Sequence, residues 1–160
     1  MRLLFVCTGN TCRSAMAEGI ARAVAAERGI TDLVVESAGT GAAPLAADPA
    51  GAGSGASDGA MLVALEHGVD LTGHRARALT PALVASTDLV LAMGPRHLER
   101  VLELGGGAKA HLLAGFASEG RSQQGIEDPY GGSLAVYRST YEQLDANIRR
   151  VLDRLGAAPV

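Results

Sequence analysis

The chain has 160 residues, enough for one domain with a core of its own and no need of disulfide or metal staples. Nearly half of the residues (48%) are apolar but only 3% are aromatic, so the core has to be built from Leu, Val, Ile and Ala. Fourteen Lys and Arg against 17 Asp and Glu give a formal charge of −3, which argues against general affinity for nucleic acid or acidic lipid.

The apolar run Leu3-Leu4-Phe5-Val6 predicts a buried parallel strand, and the small polar residues from Cys7 to Ser14 predict a loop. Met16, Ile20 and Val24 then recur at helical spacing, with Glu18, Arg22 and Arg28 off that face and Gly29 as the stop. A second strand fits Leu33 to Glu36. Residues Gly39 to Gly59, rich in Gly, Ala, Ser and Pro, read as a flexible surface loop. A helix is predicted over Ala60 to His67, stopping near Gly68, and a short one within Leu79 to Ser86 after Thr80-Pro81. Asp88 to Met93 holds a third strand. Pro95 to Leu104 forms a helix with Arg96 and Arg100 on its solvated face, ended by Gly105-Gly106-Gly107. A fourth strand is placed near Ala110 to Leu113, and Gly115 to Gly132 reads as a long loop. The last helix starts near Ser133, where Tyr137, Tyr141, Leu144, Ile148, Val151 and Leu155 make one apolar stripe.

There is no internal repeat. Strands alternating with helices predict a single α/β domain over residues 1–160, a three-layer fold whose central four-stranded parallel sheet carries helices on both faces. Ligands in such folds bind at the carboxyl ends of the strands, and Cys7 falls at one of them. Two cysteines, Cys7 and Cys12, make no secreted disulfide framework. The apolar start is too short for a signal-peptide core, and no apolar run approaches a membrane span. These features predict a protein of the reducing cytoplasm with no membrane partner.

The segment Cys7-Thr8-Gly9-Asn10-Thr11-Cys12-Arg13-Ser14 carries the chemistry. A helix N-terminus has unpaired N–H groups and a partial positive charge, and a tight loop can curl further N–H groups into an anion-binding nest. Together they can hold the three non-bridging oxygens of a phosphoryl group, with Arg13 adding a bidentate guanidinium contact. The same field favours the thiolate of Cys7, which then sits at the floor of a phosphate cradle. A bare Cys and Arg at this spacing arise by chance; the predicted strand before and helix after are what give the pattern weight. The competing reading of Cys7 is an inert core thiol. Zinc binding would need clustered Cys and His, and the four histidines are scattered singly; a nucleotide-binding loop would need Gly-Lys-Ser/Thr, which is absent.

With the following Met16-Ala17-Glu18, this loop resembles the signature of the low-molecular-weight protein tyrosine phosphatase family. The similarity continues through Ser37-Ala38-Gly39-Thr40, His74-Arg75-Ala76-Arg77, Asp88-Leu89-Val90-Leu91-Ala92-Met93 and Asp128-Pro129-Tyr130, and so covers nearly the whole chain. Ala15 stands where proline is common, and the Gly/Ala-rich loop is longer than usual, which leaves one wall of the pocket undefined. The resemblance implies a phosphatase working through a cysteinyl-phosphate on Cys7, with Arg13 on the phosphate and Asp128 as general acid and then base. It implies a binding loop of Thr8, Gly9, Asn10, Thr11, Cys12 and Ser14 with Tyr130 at the rim, and Ser37 and His74 supporting Asn10. No metal and no cofactor is implied, and the partners are phosphorylated proteins. Taken singly, Asp128-Pro129 is also a turn signal, Ser14 a helix cap and His74 an ordinary surface histidine. Cys12 either forms a reversible disulfide with Cys7 or packs as a small residue under the loop.

Two features bear on the substrate. Tyrosine-specific members usually carry a larger aliphatic residue at the position of Thr11, whereas a branch resembling bacterial protein-arginine phosphatases has threonine there and Gly-Gly after the Asp-Pro-aromatic motif. This sequence has both, as Thr11 and Gly131-Gly132. The expected activity is therefore phosphoarginine hydrolysis, with protein-tyrosine phosphatase as the alternative. Arsenate reductases share the scaffold, but the thioredoxin-coupled type relays electrons through two further cysteines, and none follows Cys12. A mere phosphate-binding module would not need a nucleophile, Arg13 and a candidate acid together.

Overall fold

The first strand is apolar on both faces, so something must cover each of them. The computed structural model describes residues 1–42 and 54–156. In chain order the elements are β1 (Arg2–Cys7), α1 (Arg13–Glu27), β2 (Val34–Gly39), α2 (Asp58–Glu66), α3 (Pro81–Ala85), β3 (Leu89–Ala92), α4 (Pro95–Glu103), β4 (Ala110–Leu112), α5 (Leu113–Ala117) and α6 (Leu134–Gly156), with a 3-10 turn at Gly107–Lys109. Leu3, Phe5 and Cys7 of β1 pack into the larger core with side chains of α1, α2, α5 and α6; Leu4 and Val6 pack on the other side with Val90, Val101 and Leu83. This is the three-layer α/β fold that the sequence pattern predicts.

All strand pairs are parallel and the order is β2-β1-β3-β4. The chain leaves β1 toward one edge for β2 and comes back past β1 to place β3 and β4 toward the other. The crevice between the carboxyl ends of β1 and β3 is thus the topological switch point, the place where such sheets bind ligands. Cys7 ends β1 at this crevice.

The helices bury the faces their spacing indicates. Met16, Ile20 and Val24 of α1 are buried, and Ala17 and Ala21 beside them let the helix approach the sheet closely. In α6, Tyr137, Tyr141, Leu144, Ile148 and Val151 are buried as predicted; the stripe ends on fully packed Leu152, while Leu155 is only half-buried. Each such side chain contributes about 1.5–3 kcal/mol by leaving water. Thr80 caps α3 by accepting from Leu83 N–H, with Pro81 in the first turn. Among the described residues no helix is long and apolar enough to cross a membrane.

Three expectations are corrected. The second strand starts at Val34 and runs on to Gly39. Ser37, Ala38 and Gly39 have little strand propensity of their own, but they pair in register with Phe5, Val6 and Cys7. The stretch 39–59 is not loop to its end: Ser57 caps α2, accepting from Ala60 N–H at 3.3 Å, and the helix begins at Asp58. Residues 43–53 of that stretch lie outside the described residues. Finally, the chain after β4 turns at once into α5, so the loop expected from Gly115 starts only after Ala117.

Gly59 lies where α2 meets α6, and a Cβ there would stand 2.5 Å from Tyr137 Cε2. Alanine normally favours a helix over glycine by about 1 kcal/mol, but overpacking costs about 1–3 kcal/mol. Gly59→Ala is therefore expected to destabilise the fold by about 1 kcal/mol or more. Urea unfolding checks the sign; a gain in stability would mean that the Tyr137 ring yields freely.

Candidate active site

The loop between β1 and α1 is shaped around Asn10, which is fully buried and has a left-handed φ of +57°. Its side chain makes three hydrogen bonds. Nδ2 donates to Ser14 Oγ (2.8 Å) and Ser37 Oγ (2.9 Å), and Oδ1 accepts from Arg77 N–H (3.0 Å). Its backbone carbonyl accepts from His74 Nε2 at 2.6 Å, which puts a proton on that nitrogen. The neighbouring chain closes in from the end of β2: Thr40 and Gly41 N–H donate to the carbonyls of Cys7 and Thr8 (2.9 Å each). Gly39 admits no side chain, because a Cβ would run into the Thr8 carbonyl oxygen and lie 3.0 Å from Asn10 N.

This scaffold leaves the loop's own donors free. Among the described residues no protein group accepts from the backbone N–H groups of residues 8–14, and Cys12, the N-cap of α1, makes no side-chain cap. The loop and the first turn of α1 therefore present N–H groups and the positive end of the helix dipole, a receptor for an anion.

The bond directions fix the state that suits Cys7. Ser37 donates to Glu18 Oε1 (2.8 Å) and accepts from Asn10; Ser14 accepts from Asn10, so its own hydroxyl hydrogen is free for Cys7 Sγ at 2.9 Å. The sulfur is placed as an acceptor, the arrangement a thiolate needs. Arg13 is buried at the same mouth. Its guanidinium donates to the Ile126 carbonyl (3.1 Å) and lies 3.5 Å from Asp128 Oδ2. Asp128 is half-exposed, and its Oδ1 accepts from Tyr130 N–H (3.1 Å), which sets the carboxylate in a tight turn. Ile126 N–H donates to Met93 O (2.7 Å), so the loop that carries Asp128 is tied to the end of β3.

The structure sorts the sequence-derived residues. Arg13 meets Asp128 where the loop after β1, which begins at Cys7, faces the loop before α6. Thr8 and Gly9 are exposed and Thr11 half-exposed at the mouth, with Tyr130, 77% exposed, on the rim. Asn10 and Ser14 are buried, so their side chains support the loop and do not face a ligand. Cys12 too is corrected as a binding side chain. Its thiol turns into the core, donating to Ser57 Oγ (3.2 Å) and lying 3.4 Å from Tyr137 OH, so only its backbone can meet a ligand. Cys7 and Cys12 are both free thiols. Ser37 and His74 brace Asn10, as the resemblance implies.

Sequence reasoning missed Glu18, Arg77 and His97. Glu18 and Arg77 stand within motifs already quoted, four residues after Ser14 and three after His74. His97 carries no motif, but it opens the helix after β3, on the crevice side of the sheet. Its ring is buried, with Nε2 2.8 Å from Thr8 Oγ1. Burial first, and then the charge of Arg13, push its pKa down to about 4, against the opposing pull of Asp128. The unfolded chain binds this proton near pH 6.5 and the folded one only near 4, so stability must fall as pH drops through that window. His97→Gln is expected to remove this part of the slope, on the order of 2–3 kcal/mol between pH 6.5 and 4. Chemical denaturation of both proteins across that range checks it, since their difference cancels the carboxylates that titrate there too.

Comparison with known proteins agrees with this geometry. Residues 2–159 match the low molecular weight phosphotyrosine protein phosphatase family. The chain is 34% identical to the low molecular weight protein-tyrosine-phosphatase Wzb of Escherichia coli K12, covering 99% of this chain and 97% of Wzb. It is 32% identical to a protein-arginine-phosphatase of Bacillus subtilis, with 97% of each covered. Among solved structures, a mutant of the arginine phosphatase YwlE with a phosphorylated active-site serine superposes with a TM-score of 0.85 at 32% identity, over 99% of this chain and 97% of that one. A cysteine cradled by free N–H groups at the switch point of a 2-1-3-4 sheet, with a guanidinium and a carboxylate at its mouth, thus belongs to the low molecular weight phosphotyrosine protein phosphatase family, as a protein phosphatase of the arginine/tyrosine type.

Proposed function

We propose that the chain hydrolyses phosphoarginine in proteins through a cysteinyl-phosphate on Cys7. The observation that carries this reading is the approach of Asp128 to the Arg13 guanidinium, 3.5 Å apart at the mouth of the cradle. A carboxyl group held there is placed to meet a guanidinium, the group a phosphoarginine brings to the same place, accepting through one oxygen and holding a proton on the other. The half-exposed Thr11 adds a hydroxyl where an aliphatic side chain would favour a phenyl ring. Gly131 and Gly132 follow Tyr130 with no second aromatic to complete a clamp on a flat ring. The relative whose active-site serine is phosphorylated is itself an arginine phosphatase, which supports the covalent route.

The loop N–H groups and Arg13 bind the phosphoryl oxygens, and the Cys7 thiolate attacks phosphorus in line. As the S–P bond forms and the P–N bond breaks, Asp128 gives its proton to the leaving guanidine nitrogen. The Asp128 carboxylate then takes a proton from water, whose oxygen attacks phosphorus while the P–S bond breaks. Inorganic phosphate leaves, and the Ser14 hydroxyl stabilises the returning thiolate. The partners are phosphorylated proteins, in a reducing compartment where both thiols stay free.

Matched peptides carrying phosphoarginine or phosphotyrosine, with Cys7→Ser as the blank, test the substrate. A higher kcat/KM on phosphoarginine is expected, and Thr11→Ile is expected to shift the ratio toward phosphotyrosine by about tenfold, the scale of one pocket contact. A wild-type preference for phosphotyrosine would return the protein to the tyrosine branch with its mechanism intact, whereas activity surviving in Cys7→Ser would overturn the mechanism. Asp128→Asn is expected to cost about 10²–10⁴ in kcat/KM on phosphoarginine, a ratio that reports the steps up to departure of the leaving group. The cost in kcat/KM should be far smaller on p-nitrophenyl phosphate, whose leaving group needs little protonation; equal losses in kcat/KM on both would remove Asp128 from the role of acid.

A further inference from the structure

His97 takes no part in the steps above, yet it holds the one buried side-chain nitrogen or oxygen without a hydrogen-bond partner among the described residues, its Nδ1. The ring is 7% exposed, and its other nitrogen, Nε2, lies 2.8 Å from Oγ1 of Thr8, the residue next to Cys7. Nδ1 faces the backbone of Gly94, where even a Cβ would stand 3.5 Å away. His97 is the third residue of α4, and the first helical bond of α4 runs from Leu98 N–H to Gly94 O. Nδ1 therefore sits in the partial positive field of the first turn, and the charge of Arg13 adds to it. A hydrogen on Nδ1 would be an unpaired donor in a positive field, whereas a lone pair is favoured there. The neutral ring carries its hydrogen on Nε2, and Nε2–H donates to Thr8 Oγ1.

That choice decides what Thr8 can do. A hydroxyl has one hydrogen and two lone pairs. With a lone pair filled from the α4 side, the hydrogen cannot point at the ring and turns to the open side of the loop, where Thr8 is exposed. The opposite tautomer would draw the hydroxyl hydrogen inward and leave only lone pairs facing an anion.

We propose that His97 is a positioning residue, whose Nε2–H holds the Thr8 hydroxyl as a side-chain donor to the phosphoryl group bound over Cys7. This rests on the loop being a phosphoryl cradle, but not on which phosphorylated residue enters it. Two measurements test it. In ligand-free wild-type protein, a long-range ¹H–¹⁵N spectrum of the His97 ring should show the proton on Nε2 and none on Nδ1. With p-nitrophenyl phosphate as substrate, competitive inhibition by inorganic phosphate should weaken about tenfold in Thr8→Val and in His97→Phe, the scale of one hydrogen bond to a charged group. The double variant should lose no more than either single one, and His97→Gln, which keeps an N–H near the same place, should recover to within about threefold of wild type. A merely structural His97 would lower thermal stability without this selective loss and without coupling to Thr8. If phosphate fails to inhibit wild type, the cradle reading falls and takes this role with it. If wild type is inhibited but Thr8→Val and His97→Phe match it, or the proton is on Nδ1, the role of His97 alone is overturned.

Discussion

The site depends on seven consecutive backbone N–H groups, those of residues 8–14, which meet no protein acceptor among the described residues and are held in one shape. Unpaired donors are costly, so the loop cannot be a passive connection: something outside it must keep it from folding back on itself. Asn10 supplies that restraint. Its left-handed backbone costs about 1 kcal/mol, and the four hydrogen bonds that converge on it, each contributing about 1 kcal/mol, more than offset this. No other residue type meets the same demands. Aspartate lacks the two N–H donors that Ser14 and Ser37 receive, and glycine lacks the side chain altogether.

The restraint reaches outward from there. Ser37 and Gly39 must lie on a strand whose register is locked to β1, and His74 and Arg77 must come back across the edge of that strand. Arg77 also donates from Nε to the Ser37 carbonyl (3.0 Å) and pairs with Glu36, so one residue ties β2 through its side chain to Asn10 through its backbone N–H. Residues 74–77 are thus less a connection than an outer brace of the loop.

How much of this was legible follows from the range of the interactions. Elements held by local pattern were readable: β1 from its apolar run, α1 and α6 from spacing, α3 from Thr80-Pro81. The nucleophile loop was readable because its eight residues are contiguous and each has a chemical reason to be there. The last half of β2 was not, because Ser-Ala-Gly becomes a strand only by pairing with β1. The five residues of α5, with Gly115 in the middle, are too few to show a period. His97 and Glu18 were missed for the same physical cause: what matters about them is a contact 89 residues away to Thr8, and one 19 residues away to Ser37. Composition and spacing carry no trace of such contacts. The placement of Cys12 shows the converse. Its position inside the signature left open a disulfide with Cys7 or a small residue packed under the loop, because the residue before a helix's first turn can point either way, and here the hydroxyls of Ser57 and Tyr137 draw it into the core.

Arg13 joins the two halves of the site and explains why neither is enough alone. It belongs to the loop after β1 by sequence, but its guanidinium is engaged by the loop before α6, through the Ile126 carbonyl and the Asp128 carboxylate. The bond to the carbonyl is short and buried, while the approach to Asp128 is longer and half-exposed to water. Under the proposed reading, an entering phosphoryl group, carrying up to two negative charges, competes mainly with Asp128 and leaves the anchoring bond in place. The displaced carboxyl group then stays at the mouth, held by its turn to Tyr130 N–H. A single arginine with partners on both sides thus links the phosphate-binding loop to the loop that carries Asp128.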